Sequence, residues 1–153
     1  MADDLQDPRN STAGASAKRL YFASRAVMDS ALRPYDIGST QWHVLFQLAS
    51  YGPTMQRDLG RTLQVERATL SGIVSTLVRK GLVEQVPDAA DQRQRMLHIT
   101  ASGRKLWMTL PDLAVIESLA FEGVDAAELA TVVKVLEAAT ERLNKHLSKG
   151  IDP

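Results

Sequence analysis

The segment between Thr54 and Gly81 most constrains the fold, because it holds two short helical patterns separated by only a few residues. The first pattern, "TMQRDLGRTL", starts at Thr54, which can cap a helix that runs to Leu63. The second starts near Arg67 and ends at Lys80, just before a glycine of the kind that commonly terminates helices. Its predicted buried stripe consists of Leu70, Ile73, Val74 and Leu77. The intervening "QVE" leaves room only for a tight turn. Two short helices joined so closely predict a helix-turn-helix unit.

A charged hairpin is predicted directly after this unit. The short apolar runs "LVEQV" and "MLHIT" flank the polar stretch "PDAADQRQR", which predicts two paired strands and their loop. A turn needs only residues such as Pro, Gly, Asn and Asp, so Arg93 and Arg95 exceed what the loop requires. We expect Arg93 to enter a DNA minor groove, whose negative potential attracts a narrow cation, and Asp91 to orient it through a bidentate pair. A solvated hairpin tip without a partner is the alternative.

Two helical patterns precede the helix-turn-helix unit. Apolar residues recur at helical spacing across residues 15–33. The stretch "STQWHVLFQLASYG" then predicts a helix capped by Ser39 or Thr40. Residues 1–14 are polar and are expected to form a disordered tail, so one folded domain is predicted over residues 15–153.

Two further helices are predicted after the hairpin. Thr100 is the expected N-cap of the first, and Pro111 is expected to kink or interrupt it. Asp125 and Glu128 have the spacing of a capping box, which would open the last helix. The predicted fold class is therefore mainly α: a winged helix-turn-helix core over residues 39–100, with about six helices in all and a two-stranded wing.

The distribution of charge favours a nucleic-acid partner. The 153 residues contain 18 Lys and Arg against 18 Asp and Glu, so the formal net charge is zero. Between Thr54 and Lys105, however, nine basic residues stand against five acidic ones, a net charge of +4. A basic centre between acidic ends is expected of a DNA-binding surface, and small polar and Arg side chains on a helix suit the major groove. The residues expected to contact DNA are Thr54, Glu66, Arg67, Thr69, Ser71, Ser75, Asp91, Arg93 and Arg95.

The stretch "ERATLSGIVSTLVRKGLVEQVPDAADQRQRMLHITASGRKL", with its "D-x-R" at Asp91 to Arg93 followed by "LHITASG", resembles the MarR (multiple-antibiotic-resistance regulator) family of bacterial transcription factors. The resemblance extends over residues 15–148. It implies a homodimer, with dimerisation helices at residues 15–33 and 101–148, that binds a palindromic operator in double-stranded DNA. It further implies a sequence-specific regulator, which we expect to be a repressor relieved by a small aromatic or phenolic ligand.

A ligand site is expected on the first two helices. The resemblance implies that small ligands, often aromatic acids, bind between the DNA-binding lobe and the dimerisation helices. Tyr21 and Arg25 are four residues apart and so share a helix face. An aromatic wall with one Arg suits an aromatic carboxylate, which needs apolar burial and one charge-assisted contact. The expected ligand-binding residues are Tyr21, Arg25, Trp42, His43 and Phe46. The alternative is that Trp42 and Phe46 are ordinary core residues.

Several other classes of function do not fit the sequence. Without Cys, the chain can form no disulfide and no thiolate metal site, and it cannot follow the family's cysteine-dependent peroxide sensors. Its three His residues are not clustered with acidic residues, so we expect no metal and no cofactor. The absence of a Gly-rich phosphate loop, a nucleophile elbow and paired carboxylates argues against an enzyme, and no catalytic residue is assigned.

The sequence also bears on the cellular location of the protein and on one rival class of function. No run approaches the ~20 apolar residues that a membrane span requires, and the N-terminal residues have no signal pattern. We therefore expect no membrane partner and a cytoplasmic protein. A helical protein–protein interaction adaptor without DNA binding is the rival class, but it leaves the basic wing without a purpose.

Overall fold

The structure, a computed structural model, describes residues 11–149. The described chain divides into two compact units, residues 11–113 and residues 114–149. The helices of the first unit are α1 (Ala13–Leu32), α2 (Ser39–Tyr51), α3 (Gln56–Leu63), α4 (Arg67–Arg79) and α5 (Ala101–Thr109). Its strands are β1 (Thr54–Met55), β2 (Val83–Pro87) and β3 (Arg95–Ile99), and a turn of 3-10 helix spans Arg33–Tyr35. The second unit contains α6 (Ala114–Ala120) and α7 (Ala126–Ser148).

The predicted fold class, a mainly helical winged helix-turn-helix, is confirmed. The pair α3 and α4 forms the helix-turn-helix, and β2 and β3 form the wing. The region around Pro111 interrupts the helical pattern as expected, because α5 ends at Thr109 and α6 begins at Ala114. This interruption brings the number of α-helices in residues 11–149 to seven, where about six were predicted.

The first helix begins earlier than expected. Residues 1–10 of the predicted tail lie outside the described residues. Thr12, however, accepts a hydrogen bond through Oγ1 from the backbone N–H of Ala15 at 3.1 Å, and so caps α1. Ala13 and Gly14, which were placed in the tail, are helical.

The predicted cap of α2 is wrong. Gly38 occupies the N-cap position, and neither Ser39 nor Thr40 does. The backbone N–H of Ser39 donates instead to Oδ1 of Asp29, in α1, at 2.8 Å. A carboxylate from the preceding helix therefore satisfies an N–H group that has no partner within α2, and it complements the helix dipole. This contact also attaches α2 to α1.

The sheet contains a strand that the sequence did not indicate. Thr54 was expected to cap α3, but it lies in β1 and pairs with Leu97 of β3. The N-cap position of α3 belongs to Met55, which makes no capping hydrogen bond through its side chain. Since β3 lies between β1 and β2 and is antiparallel to both, the wing is anchored at the start of the helix-turn-helix.

The core of the first unit forms where the helices pack on the sheet. Of the predicted buried stripe of α4, Leu70, Val74 and Leu77 are buried and Ile73 is half-buried, and this leaves the opposite face of the helix exposed. The residues fully buried in this core include Leu32, Val44, Leu45, Leu48, Leu59, Leu77 and Leu97.

The base of the wing is closely packed against α5. Thr100, as predicted, caps α5 by accepting a hydrogen bond from the backbone N–H of Gly103 at 2.9 Å, and it donates to the carbonyl of Gly81 at 2.6 Å. Gly81 has φ +72°, a left-handed conformation that terminates α4 as expected. A Cβ atom added to Gly103 would lie 2.1 Å from the carbonyl oxygen of Leu82. Only glycine therefore fits at this contact.

The second unit consists of a short and a long helix. Asp125 occupies the predicted N-cap position of α7, but its side chain makes no capping hydrogen bond. None of the 23 residues of α7 is buried. Between residues 11 and 149, no helix has both the length and the apolar character that crossing a membrane demands.

Candidate nucleic-acid interface

The face of α4 opposite its buried residues carries short polar side chains and, at the start of the helix, Arg67. Arg67, Thr69, Ser71 and Ser75 are all exposed, as expected from their position opposite the buried residues of the helix. Short side chains allow a helix backbone to come close to the floor of a DNA major groove. Arg67 is the first residue of α4, and its longer side chain can reach a base edge beyond the N-terminal end of the helix.

The tip of the wing is organised by two aspartates. Oδ1 of Asp91 accepts hydrogen bonds from the backbone N–H of Arg93 at 3.1 Å and from Nε of Arg93 at 3.2 Å. The expected bidentate pair is therefore wrong, because one carboxylate oxygen serves both donors. Asp88 in turn accepts through Oδ2 from the backbone N–H of Asp91 at 3.1 Å. The Arg93 side chain remains 92% exposed, so Asp91 orients it without removing it from solvent.

A groove of about 940 Å³ lies between the wing and the helix-turn-helix. Three of the residues predicted to contact DNA lie outside it: Thr69 and Ser75 on the exposed face of α4, and Thr54, whose hydroxyl donates to the carbonyl of Gly52 at 3.0 Å. Six of the nine predicted residues line the groove together: Glu66, Arg67, Ser71, Asp91, Arg93 and Arg95. The structure thus brings the N-terminal end of α4 and the wing tip to one concave surface.

The sequence interpretation missed two arginines of this groove. Arg57 and Arg61 of α3 line it as well, which brings the guanidinium groups on its walls to five. Both contact the carboxylate of Asp58 at 3.6 Å, a length at which exposed ion pairs contribute little. Their spacing of four residues, which places both on one face of α3, was the available signal. The five positive charges of the groove outnumber the negative charges of its two carboxylates, Glu66 and Asp91.

The aromatic residues of α2 form a cluster, as expected, but they are joined by a residue that was missed. Trp42 stacks on Phe46 with ring centroids 5.3 Å apart and packs edge-on against His43 at 5.1 Å. Trp107 of α5 lies 5.3 Å from Trp42 and 6.0 Å from Phe46. Trp107 lies more than 60 positions along the chain from both residues, so no local pattern connects them.

Arg25 links the other candidate ligand residues of α1 to α2. Its guanidinium donates to the hydroxyl of Tyr21 at 3.3 Å and, across the helix pair, to Oγ1 of Thr40 at 3.1 Å. Partial burial lowers the pKa of His43 below its ordinary value of 6.5, and the positive charge of Arg25 lowers it further. Both effects favour the neutral form of His43. The five predicted ligand residues form two adjoining groups, one polar around Arg25 and one aromatic around Trp42. Within residues 11–149, no three His, Asp or Glu side chains lie close enough together to hold a metal ion.

Comparison with known proteins identifies a matching family and similar chains of known name. The model of the MarR family matches residues 35–94, which include α2, the helix-turn-helix and the wing tip. The transcriptional activatory protein BadR of Rhodopseudomonas palustris is 32% identical over 116 residues, which are 71% of this chain and 65% of BadR. The transcriptional repressor NicR of Pseudomonas putida is 27% identical over 124 residues, 80% of this chain and 78% of NicR. The chain thus spans just under two thirds of the length of BadR.

A solved structure shows the same fold. BpsR of Bordetella bronchiseptica, whose DNA binding is regulated by 6-hydroxynicotinic acid, superposes with a TM-score of 0.75 at 23% sequence identity, over 86% of this chain and 94% of BpsR. These relatives are transcriptional regulators and not enzymes. The resemblance suggested by the wing motif is confirmed, and the chain belongs to the MarR family.

Proposed function

We propose that this protein is a sequence-specific DNA-binding transcriptional regulator. The observation that carries the proposal is the groove in which α3, α4 and the wing present five arginines beside short polar side chains. Phosphate oxygens attract the guanidinium groups, and this contact supplies affinity for any sequence. The exposed face of α4 supplies the contacts with base edges, on which sequence specificity depends.

The proposed binding geometry assigns one groove of DNA to each element. α4 enters the major groove, with Arg67 positioned to donate to guanine and Thr69, Ser71 and Ser75 facing base edges. Arg93 enters the flanking minor groove, where a narrow cation is favoured. Asp91 holds the Nε of Arg93 at 3.2 Å and so limits the directions in which the guanidinium can point.

The protein acts as a homodimer on a palindromic operator in this proposal. α7 exposes a stripe of large apolar residues that includes Val132, Leu136, Leu143 and Leu147. A second copy of the chain would cover such a stripe on both partners at once, because a two-fold interface uses the same surface twice. The two copies of α4 would then contact half-sites of the operator about one turn of the DNA helix apart. The chromosome that carries such an operator lies in the cytoplasm, which is the location we propose.

A small aromatic acid is the proposed effector. The guanidinium of Arg25 can bind a carboxylate, and the adjoining rings of Trp42 and Phe46 can cover an aromatic body. BpsR, whose regulator 6-hydroxynicotinic acid is an aromatic carboxylic acid, supports this class of ligand. Among the relatives, BadR is named an activator and NicR a repressor, and we propose repression that the ligand relieves.

A contact between the turn after α1 and the end of α4 can transmit ligand binding. Lys80 follows the last residue of α4, and its Nζ lies 3.2 Å from Oδ2 of Asp36 and also donates to the Asp36 backbone carbonyl. Asp36 follows directly after the turn that ends α1, the helix of Arg25. A ligand that shifts α1 would therefore move the C-terminal end of α4. Operator affinity would then change by the ratio of the ligand's affinities for the DNA-bound and the shifted states of the protein.

The test of DNA binding is selection from a random double-stranded library, followed by titration of the recovered sequence. We expect recovery of a palindromic sequence whose affinity falls steeply with salt. Recovery of no enriched sequence would contradict the proposal and favour the protein–protein adaptor.

The test of the effector is the same titration with millimolar 6-hydroxynicotinic acid or salicylate. We expect affinity for the operator to fall by roughly 5- to 150-fold in the wild type. The Arg25→Ala variant should lose the response and keep its affinity without ligand, because Arg25 lies outside the groove. Arg19→Ala removes a guanidinium from the same helix and serves as the control, which should respond as the wild type does.

A further inference from the structure

Three polar side chains connect the wing, α3 and α4 along the wall of the groove. Nε2 of Gln85, in β2, donates a hydrogen bond to Oε1 of Gln56 at 2.7 Å. Nε2 of Gln56, the first residue of α3, donates to Oγ of Ser71, in α4, at 3.3 Å. All three residues line the groove. We call this chain of two hydrogen bonds the glutamine relay.

The register of the sheet explains why Gln85 reaches the helices. Gln85 pairs directly with Leu97, and Leu97 pairs on its other side with Thr54. Residues directly opposite one another in a sheet point to the same face. Because Leu97 is fully buried, Gln85 emerges on the face that packs on the helices and not on the solvent face. Its neighbours Glu84 and Val86 point the other way.

The relay has a direction. An amide side chain carries an acceptor on its oxygen and two donors on its nitrogen. The oxygen of Gln56 accepts from Gln85, so its nitrogen faces Ser71. A serine hydroxyl has one donor and two acceptor positions. Because Ser71 Oγ accepts from Gln56, its hydrogen is directed away from the Gln56 nitrogen, and the residue is exposed in the groove.

We propose that the glutamine relay makes Ser71 a hydrogen-bond donor toward the operator. This inference rests on the proposed DNA-binding function. A donating hydroxyl recognises the acceptors of the major groove, which are N7 of purines, O6 of guanine and O4 of thymine, and it is repelled by the N4 amino group of cytosine. Ser71 then discriminates between bases, which a freely rotating serine does poorly. Gln56 and Gln85 are positioning residues that act through Ser71.

The substitution Gln56→Glu reverses this direction with little change of shape. A carboxylate is only an acceptor, so it would keep the hydrogen bond from Gln85 and would take the hydroxyl hydrogen of Ser71. Ser71 would then offer a lone pair to the DNA. An acidic residue in the first turn of α3 is favourable for the helix dipole, so the variant is expected to fold. Gln64→Glu is the matched control, because it adds the same charge to the groove outside the relay.

The experiment measures the affinity of each variant for single base-pair substitutions of the operator selected by the wild-type protein. Ser71→Ala identifies the base pair that Ser71 reads, as the position where discrimination falls by roughly two- to tenfold. At this position Gln56→Glu should shift the preference toward bases that present an amino donor. Gln64→Glu should lower affinity for all sequences alike and keep the wild-type preference. Thermal melting of each variant verifies that it is folded.

Two outcomes would overturn the inference while DNA binding stands. One is that Ser71→Ala discriminates at every position as the wild type does. The other is that folded Gln56→Glu keeps the wild-type preference at the base pair read by Ser71. A wild-type protein that selects no operator at all would instead refute the proposed function, so the two failures are distinct.

Discussion

Two exposed surfaces of the described chain differ in their chemistry. On α4 and the wing, the exposed residues include many charged or short polar side chains, such as Arg67, Ser71 and Arg93, and the exposed Val78 and Val86 do not form a stripe. On α7, Leu143 and Leu147 are each 67% exposed, and no residue of the helix is buried. Water solvates the first surface readily, whereas a continuous apolar stripe is rare on a stable monomer. The contrast fits the two partners proposed above, DNA for the first surface and a second copy of the chain for the second.

The largest expected effect comes from placing charge on the apolar surface. Leu136→Glu combined with Leu143→Glu puts two carboxylates on one face of α7, since residues seven apart align. We expect a monomer in analytical ultracentrifugation at micromolar concentration. Operator affinity should fall roughly 100-fold or more, because the two DNA-binding units would no longer bind together.

The control for this prediction is Lys134→Glu, which lies on the opposite face of α7 and is also exposed. It should sediment as the wild type does. A double variant that keeps the wild-type sedimentation coefficient would show that the apolar stripe is not the dimer interface. The apolar surface of α7 would then have no assigned partner.

The next effect concerns the support of the polar surface. Gly103→Ala places a methyl group 2.1 Å from the Leu82 carbonyl oxygen. Because this oxygen belongs to the backbone, the clash can be relieved only if the base of the wing shifts. We expect the free energy of unfolding to fall by about 1–3 kcal/mol in urea denaturation. Gly72→Ala lies on the exposed side of α4, where an added Cβ would meet no atom beyond its own stretch of helix, and should be neutral or stabilising. Equal stability of the two variants would argue against the close contact.

A smaller effect is expected at the wing tip. Arg93→Ala should lower affinity about tenfold for all DNA sequences and reduce the slope of log affinity against log salt by about one unit. Asp91→Ala should cost less than about fivefold, because an exposed ion pair contributes little. Neither should change the dimer. Arg93→Ala with an unchanged salt slope would show that the wing does not contact DNA.

The smallest effect is a pH dependence at His43. Burial and Arg25 lower the pKa of His43 below 6.5, so the unfolded chain binds a proton that the folded chain resists. Stability should therefore decline as pH falls below 6.5, and His43→Gln should make this decline shallower. The measurement is the melting temperature of both proteins at pH 5 and pH 8. Parallel declines would mean that His43 does not contribute.

The site was predictable where residues near one another in sequence share an element. Spacing alone indicated the buried face of α4 and, with it, the exposure of Ser71. The "D-x-R" of the wing indicated that Asp91 holds Arg93, but not that one oxygen would bind both Nε and the backbone. Gln56 and Gln85 were not foreseen, because a glutamine carries no distinctive pattern and the two residues are 29 positions apart.

Sequence by itself determined the order of the helices, the helix-turn-helix, the wing and the interruption near Pro111, since these depend on local periodicity, capping and backbone restriction. Only the tertiary structure decided the features that need distant partners. β1 exists because Thr54 meets Leu97, α2 is capped because Asp29 reaches Ser39, and Trp107 joins the aromatic cluster from α5. A hydrogen bond or a ring contact needs only proximity in space, and chain folding creates that proximity between residues whose separation along the chain has no period.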